Sequence, residues 1–160
     1  MLLLFEGIVM CFILVMYCII GIRNGAVGLV CLYEDDVQER VIELGLVTKG
    51  QIKKQFLVSA VVLFIPLFTL VPYMVYVVNG VTEFKEGFIQ MTIILMIMGL
   101  FDRFFIDWYW VGHTKAWIIP GTEDLQPYIP VKVLIRKWLG TLIAYPLLAL
   151  LMAKIVSILI

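Results

Sequence analysis

Charge is scarce in this sequence: Asp, Glu, Lys and Arg make up 15 % of its 160 residues, against roughly a quarter in an ordinary soluble domain. Twelve basic and twelve acidic residues cancel. There is thus no basic footprint for a nucleic-acid partner and no charged tail of the kind that stays disordered. One histidine, His113, and three cysteines are too few for a His-rich metal centre or a disulfide framework. Cys11 and Cys18 share a helix face, but with Cys31 they lie in or just after an apolar stretch and are read as reduced, packed thiols. Internal repeats and Ser/Gly-rich linkers are also missing, so residues 1–160 are expected to form a single domain.

What fills the chain instead is apolar side chain, 63 % of it, with 13 % aromatic. A membrane-spanning helix takes about 20 apolar residues, and four such runs are present, at about 2–22, 56–79, 88–108 and 139–160. The expected fold is therefore an all-α integral membrane protein of four transmembrane helices, a four-helix bundle in the bilayer. The first run has no basic residue ahead of it and exceeds the length of a signal-peptide core, so it is expected to be retained. Thr48 through Gln51 matches a capping box, which starts the second helix before its apolar part. Pro66 and Pro72 interrupt that helix, and Pro146 the fourth. Asn79-Gly80 turns the second helix into the third, with Thr82 as the expected cap.

Lys and Arg of short loops stay on the cytoplasmic side. Arg23, Arg40, Lys49, Lys53 and Lys54 lie between spans one and two, and Lys115, Lys132, Arg136 and Lys137 between three and four, against Lys85 and Lys154 on the other side. Both termini are expected outside and both longer loops in the cytoplasm, as in a bacterial inner membrane. Within the first loop, residues 33–47 carry Glu34, Asp35, Asp36, Glu39 and Glu43, with Val37, Val41 and Leu44 at helical spacing. An amphipathic surface helix is expected there, its acids forming a solvated face and not a cation site. The second loop, residues 114–130, holds Pro120-Gly121 in type II turn chemistry, Thr122 as a cap for Glu123 and Asp124, and Trp117, Ile118 and Ile119. It reads as a structured cap.

The one region with chemistry is the end of span three, from Gly99 to His113. Trp108, Tyr109 and Trp110 match an interfacial belt, which puts Asp102 about 9 Å deeper. An acid at depth is costly and faces a bundle interior or a wet cavity. Arg103 and Asp107, four apart, can pair on one face, from which Asp102 is expected to stand aside. On an α-helix Asp102, Ile106, Tyr109, Trp110 and His113 form one stripe, with Asp102 and His113 about 16 Å apart along the axis. The candidate site is Asp102, Asp107 and His113 as acid–base or catalytic groups, with Arg103, Glu123 and Asp124 as ligand-binding groups. That set suits a divalent cation or a proton.

Glycine followed by Asp102-Arg103 and a second aspartate resembles lipoprotein signal peptidases over some ten residues. The asparagine expected before Asp-Arg is absent, however, and span four has no aspartate, so the chain is not placed in that family. The signatures of membrane prenylcysteine methyltransferases and of lipid-headgroup phosphotransferases are also missing. Three functional classes remain. The leading one is a small membrane protein, within an oligomer, that binds an ion, a lipid headgroup or a partner membrane protein around Asp102. The others are a membrane enzyme on a lipid or lipid-linked substrate and a proton-coupled transporter protomer. Its surroundings are the lipid bilayer in every case.

Overall fold

A computed structural model describes residues 1–159; residue 160, the last of the expected fourth span, lies outside the described residues. Four helices in it are long and apolar enough to cross a membrane: Leu2–Ile22, Lys49–Val78, Phe84–Val111 and Val131–Ile158. The shortest has 21 residues, which at 1.5 Å per residue gives about 32 Å, the thickness of a hydrocarbon core. They alternate in direction. Both chain ends and the Asn79-Gly80 turn lie at one end of the bundle, here the terminal end, and both long connections lie at the other, the loop end.

The α-helical parts are α1 (Leu2–Ile22), α2 (Asp35–Glu43), α3 (Lys49–Pro72), α4 (Phe84–Phe101) and α5 (Val131–Leu159). Thr48 starts α3 with both arms of the capping box in place, its side chain accepting from the Gln51 amide while the Gln51 side chain takes the Thr48 amide. Helix α4 departs from expectation at its start. Glu83, not Thr82, occupies the cap position, and it makes no side-chain cap bond. Helix α5 begins eight residues before its apolar run, directly after Pro130, whose carbonyl accepts from the Leu134 amide at 2.9 Å. Hydropathy sees the part of a helix that suits lipid, whereas backbone hydrogen bonding carries it through Lys132, Arg136 and Lys137.

Helix α4 is central, packed along α1 on one side and α5 on the other. Met10, Val71, Val75, Met91, Ile94, Leu95, Met152 and Ala153 fill this core. Small residues permit the approach: a Cβ on Gly99 would press on Tyr145 and on Thr141 Cγ2. Outward, Phe5, Phe12, Phe56, Leu57, Phe64, Leu147 and Leu151 are exposed. Apolar surface on that scale is a liability in water and ordinary against lipid tails.

Two helices widen into π-turns, over Tyr73–Val78 directly after Pro72 and over Asp102–Val111. Proline has no amide hydrogen to give the preceding turn, which accounts for the first. At the loop end the chain forms a second core from the 3-10 segment Ala26–Leu32, α2 and the cap. Val37 and Val41 of α2 are buried there as the spacing predicts, while Leu44 is exposed just past the helix end. In the cap, the Thr122 amide donates to the Ile119 carbonyl at 3.1 Å and Gly121 has φ +88°, the signature of a type II turn. Thr122 makes no helix-cap bond. Its hydroxyl is fully buried, donating to the Ile119 carbonyl and paired at 2.8 Å with the Tyr128 hydroxyl. Tyr33 from the first loop donates to the Trp117 carbonyl at 2.6 Å, tying the two connections together. Burial raises the Tyr33 phenol above its ordinary range, so it stays a donor.

Candidate functional site

The π-turn at the end of the third span decides the geometry of the charged groups. On an α-helix Asp102 and Asp107, five apart, would point about 140° away from each other. Where backbone bonds run from i to i+5, residues five apart come onto one face. Arg103 therefore reaches both: one guanidinium nitrogen pairs with Asp107 Oδ2 and the other with Asp102 Oδ2. The expectation that Asp102 stands apart from this pair is overturned for that reason. From α5, Lys137 Nζ meets the second oxygen of Asp107 at 3.1 Å. Asp107 is 6 % exposed and Arg103 9 %. Two acids and two bases alternate here, so the group is neutral as a whole, the arrangement a dry location demands.

These four side chains, with Glu34, which Arg136 pairs at 3.1 and 3.2 Å, form the polar wall of a cleft of about 260 Å³ between α1, α3, the π-turn and the cap. Its other walls are apolar and aromatic, among them Leu14, Tyr17, Tyr33, Ile106, Trp117 and Tyr128. The Tyr17 hydroxyl in turn donates to Ser59 of α3, and Ser59 donates to the Gln55 carbonyl at 2.7 Å. Two buried donors in the cleft wall have no partner among the described residues, Arg103 Nε and Trp117 Nε1. An unmet buried donor costs about 1–3 kcal/mol, so each is a standing demand for an acceptor.

The other expected site residues lie elsewhere. His113 is exposed against the Trp108 ring, its Nδ1 within 2.6 Å of the Trp108 carbonyl. The predicted stripe dissolves with the α-register that defined it: Ile106 faces the cleft, Tyr109 is exposed, and Trp110 packs edge-on against Trp117. The Glu123 carboxylate takes the Gly121 amide at 2.8 Å and so shapes its own turn. Asp124 makes a two-pronged pair with Arg40 of α2 at 3.1 and 3.2 Å. Neither acid lines the cleft. Among the described residues no three His, Cys, Asp or Glu side chains are grouped to hold a metal ion. Between the two aspartates, where a divalent cation would sit, stands the guanidinium of Arg103.

Sequence reasoning counted Lys137 only as a loop charge and Trp117 only as cap filling. A lysine two positions before the apolar run of the fourth span was the available signal for the first; nothing local signals the second. The chain matches no protein-family model, no curated protein and no solved structure.

Proposed function

We propose that this chain is a membrane protein that binds the polar headgroup of a lipid in the cleft beside Asp102, Arg103, Asp107 and Lys137. The observation that carries this is the pair of unmet buried donors, Arg103 Nε and Trp117 Nε1, on residues that line a cleft with one charged wall and otherwise mainly apolar ones. They call for an acceptor oxygen. Lys137, half-buried, spends one of its three donors on Asp107. Asp102 gives Oδ2 to Arg103, with no partner for Oδ1 among the described residues. Donors on one side, a free carboxylate oxygen on the other and no net charge suit a zwitterionic head, phosphate toward Arg103 and Trp117, ammonium toward Asp102.

An enzyme acting on a lipid-linked substrate has Asp102 and Asp107 to work with but not His113, whose ring lies outside the cleft. A proton path across the bundle finds Met10, Met91, Ile94, Leu95 and Met98, all buried and apolar, between this site and the terminal end, where Asn79 donates to Glu6 and Gln90. Headgroup binding is thus favoured over both. The basic excess of the loop end supports a cytoplasmic side for it, with both termini outside, and this reading includes an oligomer in a bacterial inner membrane.

The test is thermal unfolding in maltoside micelles with glycerophosphocholine, a soluble head without chains. A hundredfold excess over Kd stabilises the folded state by about 2.7 kcal/mol. Wild type should be stabilised, and Trp117→Phe, which keeps an aromatic ring but loses the indole N–H, less so; magnesium should stabilise neither. Equal shifts in both proteins, or none in wild type, would refute the assignment.

A further inference from the structure

A second cleft, of about 380 Å³, runs from the same aspartate toward the middle of the bundle. It shares Leu14, Leu63 and Asp102 with the first, so the two meet at those three residues. Beyond them its walls are apolar except for the Tyr145 phenol, with Met10 and Ile13 of α1, Leu67 of α3, and Leu148 of α5. Helix α3 forms one side and packs sparsely on α1 and α5 compared with the close seams of α4. Pro66 lies in α3 at this level, one residue from Leu67, where the missing amide invites a kink. Together the clefts make a slot, polar at the loop end and apolar toward the bundle centre.

Resting on the headgroup assignment above, we infer that this slot holds one whole amphiphile, its zwitterionic head at the Asp102–Lys137 cluster and a single hydrocarbon chain between α1, α3 and α5. Two features select that occupant over a lipid tail drifting in from the bilayer or a second copy of this chain. The apolar cleft shares Leu14, Leu63 and Asp102 with the charged one, and its lining residues step along α1, α3 and α5 in the direction of the bundle axis, as a chain in a bilayer does. Hydrocarbon is as well solvated by lipid as by protein. The head therefore supplies the affinity, and the chain is placed by where the head sits.

Location is accordingly what the experiment reads. Ala144 lines the apolar cleft and is exposed, so Ala144→Cys adds a thiol there without disturbing the core. Leu142→Cys, exposed on the same helix but not in the cleft wall, is the control. Protein in maltoside micelles is alkylated with N-ethylmaleimide and each site is read by peptide mass. Hexadecylphosphocholine should slow modification at 144 at least severalfold and leave 142 unchanged. Glycerophosphocholine and hexadecyl maltoside should protect neither, and Trp117→Phe in the Ala144→Cys background should lose the protection. If glycerophosphocholine stabilises the protein but hexadecylphosphocholine leaves position 144 unprotected, the chain lies elsewhere and this inference fails while the headgroup site stands. If glycerophosphocholine has no effect at all, the headgroup site itself fails. Protection that follows protein concentration and ignores the amphiphile would mean a second copy covers the cleft, and would overturn the inference.

Discussion

Replacing Arg103 by methionine removes the cation that buried Asp107 and partly buried Asp102 share and keeps most of the side-chain volume. Asp107 then still has Lys137, at 3.1 Å, but Asp102 has lost the one cation paired with it among the described residues. Stranding a buried charge in this way costs about 3–5 kcal/mol. Asp102→Asn is a different case. Arg103 keeps Asp107, no ion is left without a partner, and an ion pair is exchanged for a guanidinium–amide hydrogen bond at a cost of about 1 kcal/mol. The double variant Arg103→Met/Asp102→Asn should therefore recover part of the loss, with a coupling energy of about 1–3 kcal/mol. Equilibrium unfolding of all four proteins in mixed maltoside and dodecyl sulfate micelles measures this cycle. If Arg103→Met and Asp102→Asn cost the same and add without coupling, Arg103 does not bridge the two aspartates, and the role given to the π-turn fails with it.

Further outcomes follow from other parts of the molecule. Gly28→Ala should destabilise by about 1–3 kcal/mol, because a Cβ there runs into the backbone carbonyl oxygen of Gly21, which cannot yield as a side chain can; unchanged unfolding would refute that close approach. Arg40→Ala removes the bond to Asp124 at the surface and should shift stability by less than about 1 kcal/mol, and by less still in high salt. Cys11, Cys18 and Cys31 are buried and free, and burial pushes the Cys31 thiol above its usual range. All three should resist maleimide at neutral pH until dodecyl sulfate unfolds the chain, and Cys31 should react faster as pH is raised. Topology reporters fused after residue 160 and at Lys85 should both read as outside, while proteolysis at Lys115 in inverted vesicles should be slow because Trp117, Ile119, Thr122 and Tyr128 hold the cap; a cytoplasmic reading or rapid cleavage would reverse the orientation or the ordered cap.

The four apolar helices, the capping box at Thr48, the Pro120-Gly121 turn and the buried face of α2 were legible in the sequence, because each rests on neighbours within a few residues. Apolar length sets a span, a side-chain oxygen three residues from an amide sets a cap, and a glycine at positive φ sets a turn. Asp102 was also recognisable as an acid that needs a partner or a function, and Arg103 with Asp107 as a pair four residues apart. Their arrangement was not legible. An α-helical register separates Asp102 from Asp107 and lines Asp102 up with His113, whereas the π-turn over Asp102–Val111 brings the acids together on Arg103 and leaves His113 against Trp108. Lys137 and Trp117 join the site from 30 and 10 residues beyond Asp107, one by the early start of α5 and the other by the fold of the cap over the first loop. Hydrogen bonding along a helix is local and can be read from a short stretch. The partner of a buried charge is chosen by which helices pack together, and that is settled only when the whole bundle closes.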